Sequence, residues 1–330
     1  MRNALKTGLI LTALALSSAA VAQTRSPDGF PNRPVRVLVP YAPGGATDII
    51  ARHVALRLTD LWGVPVIIDN RSGASGNIAL ETAARATPDG YTLFVGNVTT
   101  NAINESTFAA VLKIKPSEDL AGITNLVEIP HGLVVNPAFP PQNVRQFVDY
   151  AKANVGKVNY GSAGIGSYPH LDMLLFERAA GIRLNHVPYK AGAAGFITGL
   201  IGNEVQCVFS NLASTIEHIR AGRIRVIAVT MPERIPELPN VPTMAEQGYP
   251  KIGTNAWNGA FAPRGVPPAL LAWLNKSMVQ VMERPDLREL LAKQMMTVSL
   301  SKTPADYTAF VQAETRKWAA VVRENNIRIE

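Results

Sequence analysis

The residues best suited to chemistry lie in a glycine-rich turn, residues 40–48, which follows the apolar run Val35–Val39. After the turn, Ile50, Val54 and Leu58 repeat at helical spacing. A strand that ends at such a turn and opens a helix leaves unpaired backbone N–H groups at one point, with the helix dipole behind them. These groups can bind an anion such as a carboxylate. An ordinary strand–helix turn has the same pattern, so the turn by itself leaves both interpretations open.

A second turn of the same kind, residues 161–167, follows a short strand that ends at Tyr160. It reads Gly-Ser-Ala-Gly-Ile-Gly-Ser and precedes another amphipathic helix. We expect Thr47 to cap the helix after the first turn and Ser167 to cap the helix after the second. Neither turn contains Lys or Arg. An anion held there would therefore be bound by backbone N–H groups, hydroxyls and helix dipoles.

Other polar residues could contribute to the same cleft. Asn97, Thr99 and Thr100 follow the third predicted strand and could add hydrogen bonds, although a plain polar loop explains them equally well. Lys190 could reach the mouth of the cleft or simply be solvated.

Catalytic and cofactor motifs are missing from the sequence. No Gly-x-Ser-x-Gly, Gly-x-Gly-x-x-Gly or P-loop pattern is complete, and the five histidines, at positions 53, 131, 170, 186 and 218, are far apart. We therefore expect no catalytic residue, no cofactor and no metal site. Cys207 is the only cysteine, which excludes an intramolecular disulfide and indicates an inert core thiol.

Short apolar strands alternate with amphipathic helices, which predicts an α/β fold with mainly parallel sheets. The predicted strands cover residues 35–39, 64–68, 91–96, 158–160, 185–189, 205–209 and 225–230, with a further apolar stretch at 257–262. The predicted helices cover residues 47–61, 76–86, 193–201, 212–221, 268–282, 287–294 and 304–324, with another around Leu171 and Leu175. The two blocks suggest two lobes that the chain crosses between twice, with a hinge.

The N-terminus has the pattern of a secretory signal peptide. Arg2 and Lys6 precede a short apolar run, and Ala20-Val21-Ala22 is a small-x-small site, so we expect cleavage before Gln23 and a periplasmic location. The full chain carries a net charge of +7, spread along its length. Without a basic block and interleaved aromatic residues, nucleic acid is not an expected partner.

Several segments together resemble one known family. They are residues 40–48, Asp-Asn-Arg-Ser-Gly-Ala-Ser-Gly-Asn-Ile at 69–78, Asp-Gly-Tyr-Thr-Leu at 89–93, residues 159–167, Val-Pro-Tyr-Lys at 187–190 and Leu-Pro-Asn-Val-Pro-Thr at 238–243. In this order they resemble the Bug-type periplasmic solute-binding proteins of the tripartite tricarboxylate transporters, across nearly all of the mature chain.

The resemblance implies a two-lobe periplasmic-binding-protein fold (a Venus flytrap, type II-like) with the ligand cleft between the lobes. Residues 1–22 would be the signal peptide, 23–126 with 255–330 the first lobe, and 127–254 the second. The carboxylate would be gripped partly through water. The expected ligand-binding residues are Tyr41, Ala42, Gly44, Gly45, Ala46, Thr47, Asp48, Asn97, Thr99, Ser162, Gly166, Ser167, Tyr189 and Asn211. Asp48 would cap or position the helix start rather than touch a carboxylate directly.

The function that the resemblance implies is capture of a small mono- or dicarboxylate, possibly aromatic, by a monomer that delivers it to membrane permease subunits. Delivery to a receptor sensor domain and an exported α/β enzyme are the alternatives. Many relatives have an acidic residue where this chain has Ser210, which favours a ligand without an amino group.

Overall fold

A computed structural model describes residues 26, 29–254 and 256–327. The predicted signal peptide, residues 1–22, lies outside this part. The strands of the described residues are β1 (Val35–Val39), β2 (Val66–Asn70), β3 (Thr92–Asn97), β4 (Leu120–Ile129), β5 (His131–Val135), β6 (Asn159–Ser162), β7 (Asn185–Pro188), β8 (Cys207–Asn211), β9 (Arg225–Val229), β10 (Ala256–Pro263) and β11 (Thr297–Val298).

The helices alternate with these strands, as predicted. They are α1 (Ala46–Trp62), α2 (Asn77–Ala84), α3 (Asn104–Thr107), α4 (Pro116–Asp119), α5 (Val144–Ala153), α6 (Tyr168–Ala180), α7 (Ala193–Ile201), α8 (Leu212–Arg220), α9 (Pro268–Met282), α10 (Pro285–Lys293) and α11 (Pro304–Glu324), with a 3₁₀ turn at Ala74–Gly76 and a π-helical turn at Thr99–Ile103. The sequence patterns had not indicated β4, β5 or α5.

Two mixed sheets form the centres of two lobes. The first sheet has the order β11-β4-β10-β3-β1-β2, and the second has the order β7-β6-β8-β5-β9. We call the first sheet with α1–α4 and α9–α11 lobe 1, and the second sheet with α5–α8 lobe 2. The expectation of mainly parallel sheets is wrong. Although β1 runs parallel to β2 and β3, and β6 to β7 and β8, strands β10 and β5 are antiparallel to both of their neighbours.

The antiparallel strands lie where the chain crosses between the lobes. Strand β4 reaches Ile129 and is followed, after Pro130, by β5 of lobe 2, and the chain returns to lobe 1 between β9 and β10. Residues 127–129, which we had expected in the second lobe, pair with β10 in the first sheet. A strand that comes back from the other lobe enters its sheet from the opposite end, and this explains the antiparallel pairing.

Apolar residues of each sheet pack against the flanking helices. In lobe 1, Val37 and Val39 of β1 lie in one core with Ile50, Val54 and Leu58 of α1. These are the positions that the helical spacing had predicted for the buried face. Cys207 is buried in lobe 2, where burial raises the pKa of its thiol, as expected for an inert core cysteine.

Candidate functional site

A small cavity lies between the lobes, where both glycine-rich turns and several helix starts meet. Its volume is about 30 Å³, enough for a group the size of a carboxylate. The residues that line it are Tyr41, Gly45, Ala46, Thr47, Asn97, Ala163, Tyr168, Ala193, Phe196 and Asn211. Five of these belong to lobe 1 and five to lobe 2, so the site is complete only when the lobes are together.

Helix α1 opens directly onto the cavity. Gly45 is its N-cap residue, and no side chain caps it, so the expectation that Thr47 does so is wrong. The Ala46 N–H donates across the cleft to Ser214 Oγ of lobe 2 at 3.0 Å. Within the described residues the Thr47 N–H has no protein acceptor, because the first amides of a helix have no intrahelical partner. The helix dipole adds positive potential at this point.

Asp48 holds the first turn in shape from outside the cavity. Its carboxylate accepts hydrogen bonds from the Gly44 N–H at 3.0 Å, from Arg52 Nε at 2.9 Å and from Asn70 Nδ2 at 2.9 Å. Burial pushes the pKa of Asp48 upward, but these hydrogen bonds outweigh it, and the pKa lies below its ordinary value. The carboxylate therefore stays ionised, and its charge is balanced by Arg52 rather than directed into the cavity.

The polar end of β3 forms the next part of the wall. Asn97 Oδ1 accepts from the Tyr41 hydroxyl at 3.3 Å and from the Thr99 N–H at 3.0 Å. Thr47 Oγ1 accepts from Asn258 Nδ2 at 2.8 Å and from Asn97 Nδ2 at 3.4 Å. Burial raises the pKa of Tyr41 to about 12, so its hydroxyl is a neutral donor at neutral pH.

Lobe 2 contributes the starts of α6, α7 and α8. Asn211 caps α8 by accepting from the Ser214 N–H at 2.9 Å, and its Nδ2 donates to the Tyr168 hydroxyl at 2.9 Å. The Tyr168 N–H, at the start of α6, donates to Thr99 Oγ1 of lobe 1 at 3.2 Å. Tyr168 thus contacts both lobes and the cavity at once.

The second glycine-rich turn lies beside the cavity. Its Ala163 lines the cavity, but its two serines do not. Ser167 is the N-cap residue of α6, but its Oγ donates to the Gly164 carbonyl at 2.6 Å and caps no helix N–H, so the expected side-chain cap is absent. Ser162 Oγ lies 2.7 Å from His186 Nε2, and the Gly166 N–H donates to His170 Nδ1 at 3.1 Å. The turn reaches lobe 1 through its backbone, since the Ile165 carbonyl accepts from Ser75 Oγ at 2.7 Å.

The predicted residues therefore fall into three groups. Those that line the cavity are Tyr41, Gly45, Ala46, Thr47, Asn97 and Asn211. A second group does not line the cavity but lies in or beside the turns around it. Its members are Ala42, Gly44, Asp48, Thr99, Ser162, Gly166 and Ser167. Tyr189 does not line the cavity, and its hydroxyl donates to Glu204 Oε2 of lobe 2 at 3.0 Å.

Sequence reasoning missed four lining residues of lobe 2: Ala163, Tyr168, Ala193 and Phe196. Gly192 and Ala193, which follow strand β7 and open α7, carry the same strand–turn–helix signal as the first turn. That signal could have identified the start of α7 as a third part of the site. Tyr168 is the first residue of α6, directly after the turn at residues 161–167, so the signal of that turn could have identified it as well.

The lining contains no Lys, Arg, His, Asp or Glu side chain. Its positive potential comes from helix starts, hydroxyls and amide N–H groups. Among the described residues, no group of three or more His, Cys, Asp or Glu side chains is placed to hold a metal ion. In the same part of the chain, no helix combines the length and the apolar composition needed to cross a bilayer.

Comparison with known proteins identifies the family. Residues 50–327 match the family described as the tripartite tricarboxylate transporter family receptor, TctC. The chain belongs to this family. Protein BugT of Bordetella pertussis is 32% identical over 328 residues, which cover 98% of each chain. Because the TctC family consists of receptors, the interpretation of the chain as a binding protein rather than an enzyme is confirmed.

Solved structures of similar proteins have the same fold. The periplasmic binding protein BugD superposes with a TM-score of 0.83 at 29% identity, covering 91% of this chain and 100% of BugD. Rpa4515 of R. palustris, solved with adipate, gives a TM-score of 0.86 at 32% identity, with 91% and 99% covered. MatC of Rhodopseudomonas palustris, solved with malate, gives 0.84 at 32% identity, with 89% and 100% covered. The predicted two-lobe α/β fold is confirmed for this TctC-family chain.

Proposed function

We propose that this TctC-family protein captures a small carboxylate between its two lobes in the periplasm and delivers it to the permease subunits of a membrane transporter. The observation that carries the proposal is the start of α1, which opens on the cavity between the lobes with the Thr47 N–H free of any described protein acceptor. A carboxylate oxygen is the acceptor that this place favours, because amide N–H and helix dipole both point to negative charge.

Two further features support a carboxylate rather than a larger anion. The cavity of about 30 Å³ suits one carboxylate group, and its wall carries hydrogen-bond donors without a cationic side chain. Two relatives at 32% identity were solved with carboxylic acids, adipate in one and malate in the other. The body of the ligand would extend from this point between the lobes, as the lobes close around it.

Closure provides the signal for delivery. Among the described residues, three hydrogen bonds join the lobes at or beside the cavity, from Ala46 to Ser214, from Tyr168 to Thr99 and from Ser75 to Ile165. A ligand that contacts both walls adds to these contacts and shifts the population toward the closed form. We infer that a permease recognises this closed form, and that the protein acts as a monomer.

Thermal denaturation with matched ligand pairs tests the proposal. Each pair consists of a carboxylate and its uncharged amide, for example adipate with adipamide or propanoate with propanamide. A bound carboxylate raises the denaturation midpoint in a concentration-dependent way, because it binds the folded state only. The matched amide should leave the midpoint unchanged. If no member of a broad carboxylate panel shifts the midpoint, the proposal is wrong. Native mass spectrometry of freshly purified protein would identify an acid that co-purifies.

A further inference from the structure

In the cavity wall, the amide oxygens of Asn97 and Asn211 and the Thr47 hydroxyl already accept hydrogen bonds from within the protein. The Thr47 N–H and the Tyr168 hydroxyl hydrogen, by contrast, have no acceptor among the described residues. We propose, on the basis of the proposed function, that the site selects an ionised carboxylate whose body carries no hydrogen-bond donor close to the carboxylate. In this proposal the Tyr168 hydroxyl is one of the groups that bind the carboxylate. Plain acids would then be ligands, and their α-hydroxy and α-amino counterparts would be rejected.

The side-chain oxygens of the wall are occupied from within the protein. Asn97 Oδ1 accepts three hydrogen bonds, from the Tyr41 hydroxyl and from the N–H groups of Thr99 and Thr100. Thr47 Oγ1 accepts two, from the amides of Asn97 and Asn258. Because two backbone N–H groups point at Asn97 Oδ1, the orientation of this amide is determined, and its Nδ2 faces the other way.

On the lobe 2 side the pattern is the same. Asn211 Oδ1 accepts from the Ser214 N–H at 2.9 Å, which determines the orientation of the amide, and one Nδ2 hydrogen goes to the Tyr168 hydroxyl. The second Nδ2 hydrogen of Asn211 remains available to a ligand.

Tyr168 is the strongest donor candidate. Its hydroxyl oxygen already accepts from Asn211, and within the described residues its own hydrogen has no protein acceptor. Burial raises the pKa of the Tyr168 phenol, so the hydroxyl keeps this hydrogen at neutral pH. Since Tyr168 is 6% exposed and lines the cavity, a ligand oxygen is the acceptor that this hydrogen can reach.

The apolar side chains of the wall add no acceptor for an ammonium or hydroxyl group on the ligand. Ala163, Ala193 and Phe196 are apolar, and no carboxylate lines the cavity. Ser210 is buried outside the cavity lining, where its hydroxyl donates to the Asn211 carbonyl at 3.1 Å, so it does not present an acceptor to the ligand in place of an acidic residue. A donor on the ligand would lose its hydrogen bonds to water and would have to share oxygens that already accept hydrogen bonds within the protein, which weakens binding.

Calorimetric titration with two matched series tests the inference. One series is propanoate, lactate and alanine, and the other is succinate, malate and aspartate, so that only the α-substituent changes within each. We expect the plain acid of a series to bind at least tenfold more tightly than its hydroxy and amino counterparts. If a different acid of the wider panel is the tighter ligand, it is compared with its own α-hydroxy and α-amino derivatives.

The outcomes separate the inference from the proposed function. Should a hydroxy or amino acid bind as tightly as its plain partner, the inference fails while carboxylate capture stands. Should no carboxylate bind at all, both fail together.

Substitution of Tyr168 tests the residue itself. Tyr168→Phe keeps the ring and removes the donor, so we expect about a tenfold loss of affinity for the plain acid with a native circular dichroism spectrum. Tyr150→Phe, the same change on helix α5 away from the cavity, should leave the affinity unchanged. Wild-type affinity in Tyr168→Phe would show that this hydroxyl does not bind the ligand.

Discussion

Gly45 of lobe 1 approaches Ala193 of lobe 2 so closely that there is little room for a side chain between them. A Cβ atom added there would lie 3.3 Å from Ala193 Cβ at the start of α7, across the cleft. The backbone of Gly45 is extended, with φ −84° and ψ 164°, a conformation that any residue adopts. A side chain at this position is therefore compatible with the local fold, but it opposes the approach of the two lobes and takes space from the cavity that Gly45 lines.

We predict that Gly45→Val lowers the affinity for the bound acid at least tenfold by hindering closure, while the denaturation midpoint without ligand changes by only about 2 °C. Calorimetric titration and thermal denaturation measure the two effects. The double variant Gly45→Val with Ala193→Gly should regain part of the affinity, because it removes the facing methyl group. Full affinity in Gly45→Val would show that the approach of these residues is irrelevant to binding.

Two histidines hold the turn between β6 and α6 through hydrogen bonds. The rings of His170 and His186 stack with centroids 4.2 Å apart, and both contact the turn through Gly166 and Ser162. Since the Gly166 N–H donates to His170 Nδ1, this imidazole must be unprotonated there. Burial lowers the pKa of His170 to about 3 and that of His186 to about 4. The sequence had indicated structural histidines, but their stacking depends on the pairing of β6 with β7.

These shifts predict that the protein loses stability in mild acid. Both folded-state pKa values lie below the ordinary value of 6.5, so the stabilisation is complete above pH 6.5 and is lost as the pH falls through about 4. We expect the free energy of unfolding to decrease by several kcal/mol over this range, measured by urea denaturation. His170→Gln keeps an acceptor for the Gly166 N–H and removes one titrating group, so its decrease should be clearly smaller. An equal decrease in both proteins would contradict this account.

At the scale of the whole molecule, the two crossings between the lobes are joined by one buried carboxylate. Asp172 of α6 accepts from Thr254 Oγ1 at 2.6 Å, on the segment that returns to lobe 1. Its other oxygen lies 3.5 Å from Nδ1 of His131, the first residue after the outgoing crossing. The His131 ring packs on Tyr168 of the cavity wall, with centroids 4.3 Å apart. The lobe connections and the binding site therefore share one buried cluster.

We predict that Asp172→Ala destabilises the protein by about 3 kcal/mol, because it leaves the Thr254 hydroxyl buried without its acceptor and empties the space between Thr254 and His131. Urea denaturation measures the loss. Asp149→Ala, the same change at an exposed position of α5, should cost no more than about 0.5 kcal/mol. If the two variants were equally stable, Asp172 would not hold the crossings together.

Local signals in the sequence were sufficient for much of the architecture. Predicted helices at 193–201, 268–282 and 304–324 agree with α7, α9 and α11 at both ends, and the strand at 35–39 agrees with β1. Helical periodicity and glycine turns involve only a few neighbouring residues, so they can be recognised in the sequence without knowledge of the tertiary structure. The crossing strands β4 and β5 were missed, because their long buried runs have no polar alternation to mark them.

The sequence by itself determined that a donor-rich turn without Lys or Arg, at residues 40–48, opens a helix, and that a second such turn follows at residues 161–167. Only the tertiary structure decided which residues face each other across the cleft. It brought Ser214 to the start of α1, placed Tyr168 in the wall and kept Tyr189 out of the lining. The physical reason is that a turn is specified by neighbouring residues, whereas a site between lobes depends on long-range packing that aligns helix starts far apart in the chain.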